Sequence, residues 1–543
     1  MGLRRYLFTD YNEPRLVVPG LFVVLASFLL ALALITATSR PRTAEQKAEA
    51  LLRSGKPAQA ERAYRDLLRE RPTPELVLAF LDAHQYAKVF ARLAEKRDES
   101  SPVGSGIKNP ETPLDEEEVD RAIDELPPDV RVIGQYARAV PLGQVPPELA
   151  TQIEEGAKRE PPVPYANRLL ARELRHQGKL EEAARHLERE GLAFPERSED
   201  VDLALEIRIQ TEDWETLRDR LTDPRVAAAA GPHPKYRLAV HDRDWKAAMR
   251  WLPALWAPRF VGTGFAMSAV TALGWFFFCA RLGKLGQRPA FRLPMYLLAF
   301  VLGVASVVPT VLLIAVEEAK FHIVETGDAT RDLLFFIFGV GLREEASKLL
   351  LFLPLLPILR KKGDKLDVLV CGAMVGLGFA AEENLGYLAQ GDLQTGLGRF
   401  LTANFFHMAM TGTLASALDD FVSDREKYAP AFTRTSLFIV GIHGAYDFLL
   451  SHPEYGGGYF AMTAFVFLTR MFLEAVDAAR RRADRGITPL HAFVFAVALV
   501  TGVSLAYATI AVGPKGALVV TGGGLLGVAI IVYVFVRTLG QMR

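Results

Sequence analysis

The run from Asp332 to Leu359 places charged side chains where a membrane offers few partners. It is long enough to cross a bilayer at about 20 residues per crossing, yet residues 343–348 read Arg-Glu-Glu-Ala-Ser-Lys. Charges at that depth cost several kcal/mol unless they face a cavity or one another. On a helix, Glu344 and Lys348 share a face and are predicted to pair, while Glu345 points about 100° away and is left for another task. The run therefore predicts a functional site inside a membrane.

Composition divides the 543-residue chain into two parts. Residues 39–259 are rich in Arg, Glu, Pro and Ala, whereas residues 260–543 carry repeated apolar runs of bilayer-spanning length. The formal net charge is zero, so nothing indicates a nucleic-acid partner. The only two cysteines, Cys279 and Cys371, both lie in apolar runs, and we expect no disulfide framework.

Residues 1–38 are predicted to form a cytoplasmic tail and a membrane anchor. Leu16–Thr38 is apolar throughout and follows Arg4, Arg5 and Arg15. A cleaved signal peptide is the competing interpretation. The run is longer than a usual signal-peptide core and lacks a clear small-x-small cleavage site, which favours a retained anchor.

Charge in the loops predicts how the remaining apolar runs are threaded. Nine further candidate spans lie near residues 260–280, 294–316, 332–359, 366–389, 396–419, 433–450, 457–479, 489–512 and 516–537. Every second loop between them is rich in Lys and Arg, which marks the cytoplasmic side. We therefore expect an integral protein of the bacterial cytoplasmic membrane with about ten spans. Both termini would be cytoplasmic, and residues 39–259 would lie on the outer face.

The spacing of small and aromatic residues in 39–259 predicts helical repeats. Intervals of five, four, three and five residues separate Gly55, Ala60, Tyr64, Leu67 and Pro72. The set Gly178, Ala183, Leu187 and Pro195 repeats this spacing except that Glu190 occupies one of the positions. This resembles the turn and second helix of a tetratricopeptide repeat. An irregular helical domain is the alternative, with Ser101–Pro113 as a linker in either case. A repeat array would present a concave surface to a protein partner.

Further polar residues fall on three later spans. They are Glu383 with Asn384, then His407, then His443 with Asp447. Counted at about 1.5 Å per residue, Glu344, Glu383, His407 and His443 lie roughly 9–18 Å below the outer ends of their spans. Because their depths in the membrane overlap, these four residues could belong to one shared site.

Two chemistries suit carboxylates and imidazoles at one depth. A carboxylate can take a proton from water while a histidine positions the water or stabilises an oxyanion. Alternatively Glu345, His407 and His443 could hold a zinc ion. Taken singly, each group also fits a structural role: Glu344 with Lys348 as a buried ion pair, Glu383 reaching to the surface, His407 in the core, and His443 held by Asp447.

The order of these motifs resembles the PrsW-type intramembrane proteases, relatives of the CAAX prenyl endopeptidases. The likeness rests on Glu344-Glu345-x-x-Lys348, Phe379-x-x-x-Glu383-Asn384, His407 and His443-x-x-x-Asp447, and covers about residues 290–455. The resemblance implies an endopeptidase acting on membrane-embedded or membrane-proximal segments, as in regulated proteolysis of anti-sigma factors. It also implies that the paired glutamates, Glu383, His407 and His443 form the site. The prenyl-endopeptidase relatives carry His where this chain has Glu383.

The predicted fold is therefore an all-α membrane bundle with an extramembrane helical repeat domain. In the leading hypothesis, Glu344 or Glu345 activates water together with His407. His443, oriented by Asp447, stabilises the oxyanion, and Lys348 keeps one glutamate ionised. The alternatives are a proton- or ion-coupled carrier, whose midplane acids and histidines would look similar, and a non-catalytic scaffold that presents the repeats.

Overall fold

The computed structural model describes residues 14–38, 43–53, 56–100, 112–143, 145–260, 262–321, 324–389, 399, 402–452, 457–480, 488–527 and 529–541. All regular elements among these residues are helical, which confirms the all-α fold class for the described chain. Residues named above that lie outside it are Arg4, Arg5, Gly55 and 101–111 of the predicted linker. The chain divides into two compact units: Met1–Thr38 with Ala257–Arg543, here called the membrane unit, and Ser39–Trp256, here called the helical unit.

The chain begins, among described residues, with helix α1 (Pro14–Thr38), which belongs to the membrane unit. The helical unit then follows. Its helices are α2 (Ala44–Arg53), α3 (Pro57–Glu70), α4 (Pro74–Ser100), α5 (Glu116–Asp124), α6 (Pro128–Ala139), α7 (Pro147–Lys158), α8 (Ala166–His176), α9 (Leu180–Ala193), α10 (Glu199–Gln210), α11 (Trp214–Thr222), α12 (Pro224–Ala229), α13 (Pro232–His241) and α14 (Trp245–Trp256). Many begin with proline, whose missing N–H costs nothing in a first turn.

Burial in the helical unit follows the small-residue spacing of the sequence. Ala60, Tyr64 and Leu67 are buried on α3, and Ala183 and Leu187 are buried on α9. However, the helices range from 6 to 27 residues in length, so they do not form equal units. No tetratricopeptide repeat is established, and that interpretation stays a prediction.

The membrane unit continues with helices that carry the motifs. They are α15 (Gly262–Leu282), α16 (Pro289–Ala305), α17 (Val307–Phe321), α18 (Ala329–Leu334), α19 (Leu342–Phe352), α20 (Leu356–Lys362), α21 (Lys365–Ala389), α22 (Ala403–Ser423), α23 (Arg425–Ser451), α24 (Gly457–Ala479), α25 (Pro489–Gly527, broken at Gly513) and α26 (Ala529–Gln541). A π-helical segment, Phe335–Gly341, joins α18 to α19 directly before the paired glutamates. Such wide turns recur at functional sites.

An aromatic core fixes the helices on one side of the unit. Trp275 on α15, Phe405 on α22, Phe493 on α25 and Phe535 on α26 pack at centroid distances of 4.4–6.4 Å. Phe405 and His407 are two positions apart on α22, so they point to nearly opposite sides of the helix. Packing of Phe405 in this core therefore directs His407 toward the motif-bearing helices.

Two close glycine contacts set the spacing of the motif helices. A Cβ on Gly376 of α21 would lie 2.2 Å from the backbone oxygen of His407, so α21 and α22 touch backbone to backbone. A Cβ on Gly444 of α23 would lie 2.4 Å from Cα of Ile337 in the π segment. Small residues permit this approach between membrane helices.

Four helices among the described residues are long and apolar enough to cross a membrane: Val18–Ala37, Gly264–Leu282, Pro289–Glu317 and Pro489–Ile510. This supports an integral membrane protein, but it is fewer than the ten predicted spans. The helix that carries Glu344 and Glu345 is only 11 residues long, and the motif helices bury charged side chains against each other. Length and hydropathy alone therefore do not identify them as spans.

Candidate active site

Four structural elements bring the sequence-predicted site residues together. Glu344, Glu345 and Lys348 follow the π segment on α19, and Glu383 lies near the end of α21. His407 lies in the second turn of α22, and α23 carries His443 with Asp447 one turn on.

Lys348 lies at the centre of the cluster. Its buried Nζ donates to Glu345 Oε1 at 2.8 Å and to His407 Nδ1 at 2.9 Å, and Glu344 Oε2 lies 3.4 Å away. The ammonium also lies 3.9 Å from the centre of the Phe379 ring. The predicted pair of Glu344 with Lys348 is present at 3.4 Å. The expectation that Glu345 is left for another task is wrong: three residues away, it is the closer partner of Lys348, because positions i and i+3 also adjoin on a helix.

The two glutamates lie in different surroundings. Glu345 is completely buried, accepts a hydrogen bond from Thr411 Oγ1 at 3.1 Å, and has an oxygen 3.0 Å from His443 Nδ1. The side chain of Glu344 keeps 12% of its surface exposed, and its contacts to Lys348 and His443 are longer, at 3.4 and 3.5 Å. Glu345 therefore has three close polar partners, whereas Glu344 is the less enclosed of the two glutamates.

His443 is surrounded by carboxylates. Its Nε2 lies 3.3 Å from Asp447 Oδ2 and 3.5 Å from Glu344 Oε2, and its Nδ1 faces Glu345. These are ion-pair distances, but neither buried ring nitrogen makes a well-aligned hydrogen bond. His443 is therefore a buried polar side chain among three carboxylates without an aligned hydrogen bond, a feature that itself marks a candidate functional residue.

His407 is held from both sides. Because Lys348 donates to Nδ1, the proton of the neutral ring is on Nε2, which donates to Glu383 Oε2 at 3.0 Å. The rings of His407 and His443 lie 5.2 Å apart at 76°, so they face the same small space.

Arg399 is a site residue that the sequence analysis did not identify. Its guanidinium lies 2.8 Å from Glu383 Oε2, and its Nε donates to Asn384 Oδ1 at 3.2 Å. Asn384 in turn donates to Asn404 Oδ1 at 3.1 Å. The one sequence feature that indicates Arg399 is its position. It lies at the outer end of the predicted span 396–419, and Glu383 lies near the outer end of the preceding span.

Glu382 lies outside the cluster although it is adjacent to Glu383. Its carboxylate is 3.5 Å from Arg259, and its side chain lines an apolar cavity of about 390 Å³. Successive helical positions are about 100° apart, so only one of the two glutamates can face His407.

Three side chains of the cluster could bind a metal ion, and the glutamate among them is Glu344 instead of the predicted Glu345. Ligand atoms of Glu344, His407 and His443 lie within 4.8 Å of one another, and all three residues are buried. Two imidazoles and a carboxylate form a common catalytic zinc set. Glu345 is replaced by Glu344 because its oxygens already accept from Lys348 and Thr411. For Nδ1 of His407 to bind a metal, Lys348 would have to turn away from this nitrogen.

A helical membrane unit with a buried acid–imidazole cluster is the arrangement expected of a membrane-embedded peptidase. Comparison with family models supports that class. Residues 292–472, about a third of the chain, match the model of the PrsW family of intramembrane metalloproteases. The match confirms the resemblance for this region, and the family description makes a metal a candidate cofactor. Searches of curated proteins and of solved structures found no match.

Proposed function

We propose that this protein is an intramembrane endopeptidase that hydrolyses peptide bonds in membrane-embedded or membrane-proximal segments of other proteins. The observation that carries the proposal is the convergence of Glu344, His407 and His443 on one buried space, within the region that matches a family of membrane peptidases. A single-span signalling protein such as an anti-sigma factor is the substrate class that we expect.

In the proposed mechanism, Glu344 is the carboxylate that takes the proton from water. Its side chain is partly exposed and its contacts are longer, whereas Glu345 is completely buried, so we assign contact with the water to Glu344. His443, placed by Asp447 and Glu345, then donates a proton or a hydrogen bond to the oxyanion of the substrate. Lys348 holds Glu345 in place, and His407 holds Lys348.

A divalent metal ion is compatible with this site. Glu344, His407 and His443 are the residues that would hold it, and it would polarise a water molecule or the scissile carbonyl. Chelation followed by add-back of zinc tests this: recovery of activity with zinc supports a metal, and full activity in the chelated enzyme argues for direct activation of water by Glu344.

We further propose the topology on which substrate access depends. Ten spans, with both termini in the cytoplasm of a bacterium, satisfy the alternation of basic loops. The helical unit would then lie on the outer face, where it could recruit a protein partner. Labelling of single cysteines from either side of the membrane, introduced into a variant that lacks Cys279 and Cys371, tests this arrangement.

The function itself is tested by comparing new protein N-termini in membranes that contain the wild type or a variant. Glu344→Gln and His407→Ala should abolish cleavage while the protein still inserts. Glu382→Gln is the matched control, because it changes a buried glutamate that faces Arg259 instead of the cluster. Unchanged cleavage in both site variants would refute the peptidase, and proton-coupled flux in vesicles would favour a carrier.

A further inference from the structure

A second group of metal-ligating side chains lies in the membrane unit, apart from the buried cluster. It consists of Glu325 in the segment before α18, Asp332 on α18, and His452 directly after α23. One ligand atom from each of these residues lies within 4.8 Å of the other two. His452 is nine positions beyond His443, roughly 13 Å along the helix direction, so the two groups are separate.

The orientation of His452 is fixed by its surroundings. Its Nδ1 lies 3.1 Å from the backbone oxygen of Phe448, which can only accept, so Nδ1 carries a proton. The ring stacks on Phe448 at 4.5 Å and meets Phe336 edge-on at 6.2 Å. A backbone carbonyl that accepts from one imidazole nitrogen is the usual support for a metal at the other nitrogen.

The other nitrogen of His452 points at two carboxylates. Nε2 lies 3.8 Å from Glu325 Oε1 and 3.8 Å from Asp332 Oδ2. This is too long for a hydrogen bond. It matches the separation of two ligands on one zinc ion, since ligand bonds of about 2.0–2.2 Å place neighbouring donor atoms roughly 3–4 Å apart.

Asp332 is held in place before any ion binds. Its Oδ1 accepts from the backbone N–H of Thr326 at 2.6 Å, and its Oδ2 accepts from that of Gly327 at 2.9 Å. The carboxylate is completely buried, whereas Glu325 is exposed and can move to complete a coordination shell.

We propose that Glu325, Asp332 and His452 bind a divalent transition-metal ion, with zinc as the best-suited ion for one imidazole and two carboxylates. The ion would join the segment 324–328 to the end of α23. These two segments flank the elements that carry Glu344 and His443, so the ion would brace the candidate active site without taking part in its chemistry. The proposal does not depend on peptidase activity.

The test is zinc binding to the full-length protein in detergent, by calorimetry and by competition with a chromophoric chelator. His443→Ala serves as the background, because it removes a ligand of the buried cluster. We expect this variant to bind one zinc ion, and calcium not to displace it. Adding His452→Ala or Glu325→Gln should weaken binding by about tenfold or more. His491→Ala, a histidine elsewhere in the unit, is the matched control and should leave binding unchanged.

Two results would overturn the proposal. One is absence of zinc binding in the His443→Ala background, and the other is equal affinity with and without the Glu325→Gln and His452→Ala changes. Because Glu325 is exposed, its replacement by glutamine does not disturb the core, and loss of binding in that variant would not reflect unfolding. Cobalt(II) provides a second readout, since its visible absorption should disappear in the His452→Ala protein.

Discussion

At the scale of single residues, Lys348 organises the candidate site. One ammonium contacts both adjacent glutamates and His407, and no surface of this lysine is exposed. Removing one partner of a buried ion pair typically costs about 3–5 kcal/mol, because the other charge is left alone. Loss of activity in a Lys348 variant would therefore not distinguish catalysis from folding, and residues farther from the centre give clearer tests.

Arg399 provides such a test, because it contacts Glu383, which in turn accepts from His407. We predict that Arg399→Gln lowers kcat by up to about 10²-fold with little change in KM, since a displacement of His407 by about 1 Å has that effect. Arg399→Lys should recover part of the loss, because it keeps the charge near Glu383 but not the bond from Nε to Asn384.

The control for this prediction is Arg470→Gln, which removes an exposed arginine that pairs with Glu474 on α24. It should leave kcat and KM unchanged. Wild-type kinetics in Arg399→Gln would show that the Glu383 contact does not position His407.

At the scale of helices, the crossing of the π segment and α23 places the glutamates beside His443. The contact is so close that no side chain fits at Gly444. We predict that Gly444→Ala destabilises the protein by about 1–3 kcal/mol through overpacking, and that it lowers cleavage by moving His443 away from Glu345. The measurements are thermal unfolding in detergent and the cleavage rate.

Gly441 on the same helix supplies the control. A Cβ at that position meets no atom within 4 Å, so Gly441→Ala should be neutral or slightly stabilising, as expected for removal of a helical glycine. Equal effects of the two substitutions would contradict the importance of the crossing.

In the helical unit, Glu116 joins three helices through its carboxylate. It pairs with Lys88 of α4 and, at 2.6 Å, with Arg138 of α6. The Lys88 hydrogen bond, followed by Arg138, lowers the pKa of Glu116 to about 2. An unfolded glutamate has a pKa of about 4.3, so the stabilisation is complete above that pH and is lost as the pH falls toward 2.

We predict that Glu116→Gln destabilises the helical unit at pH 6 by about 0.2–1 kcal/mol, the range for exposed ion pairs, and that the difference from wild type shrinks at pH 3. Thermal unfolding at the two pH values measures this. Glu117→Gln is the neighbouring control and should behave like the wild type, since Glu117 takes part in none of the ion pairs found among the described residues. If the stability difference between Glu116→Gln and the wild type grows as the pH falls, the stabilising role of the Glu116 carboxylate is refuted.

At the scale of the whole molecule, the membrane unit contains every residue of the candidate site, while the helical unit forms a separate compact body. We predict that deleting residues 39–256 leaves basal cleavage of a short transmembrane peptide but abolishes selection among protein substrates. The same deletion carrying Glu344→Gln is the control for background cleavage. Complete loss of cleavage in a deletion protein that still folds would favour the scaffold hypothesis.

Part of the architecture could be predicted because it depends on residue type and spacing alone. Apolar runs indicated a helical membrane protein, and charged residues recurring at one depth indicated which helices should meet. The span count differs from the prediction. Among the described helices only four are long and apolar enough to cross a membrane. The helix that carries Glu345 and Lys348 has only 11 residues, because the predicted span around it is divided into a π segment and shorter helices.

The sequence by itself determined that acids and imidazoles would lie within helices, because helical periodicity and hydropathy are local properties. Only the tertiary structure decided which atoms meet: that Glu345, not Glu344, is the closer partner of Lys348, that Glu344 joins the two histidines, and that Arg399 reaches Glu383. These contacts depend on how far one helix is rotated and shifted against the next. Close backbone contacts such as the one at Gly444 set that relation, and it is not encoded in any single segment.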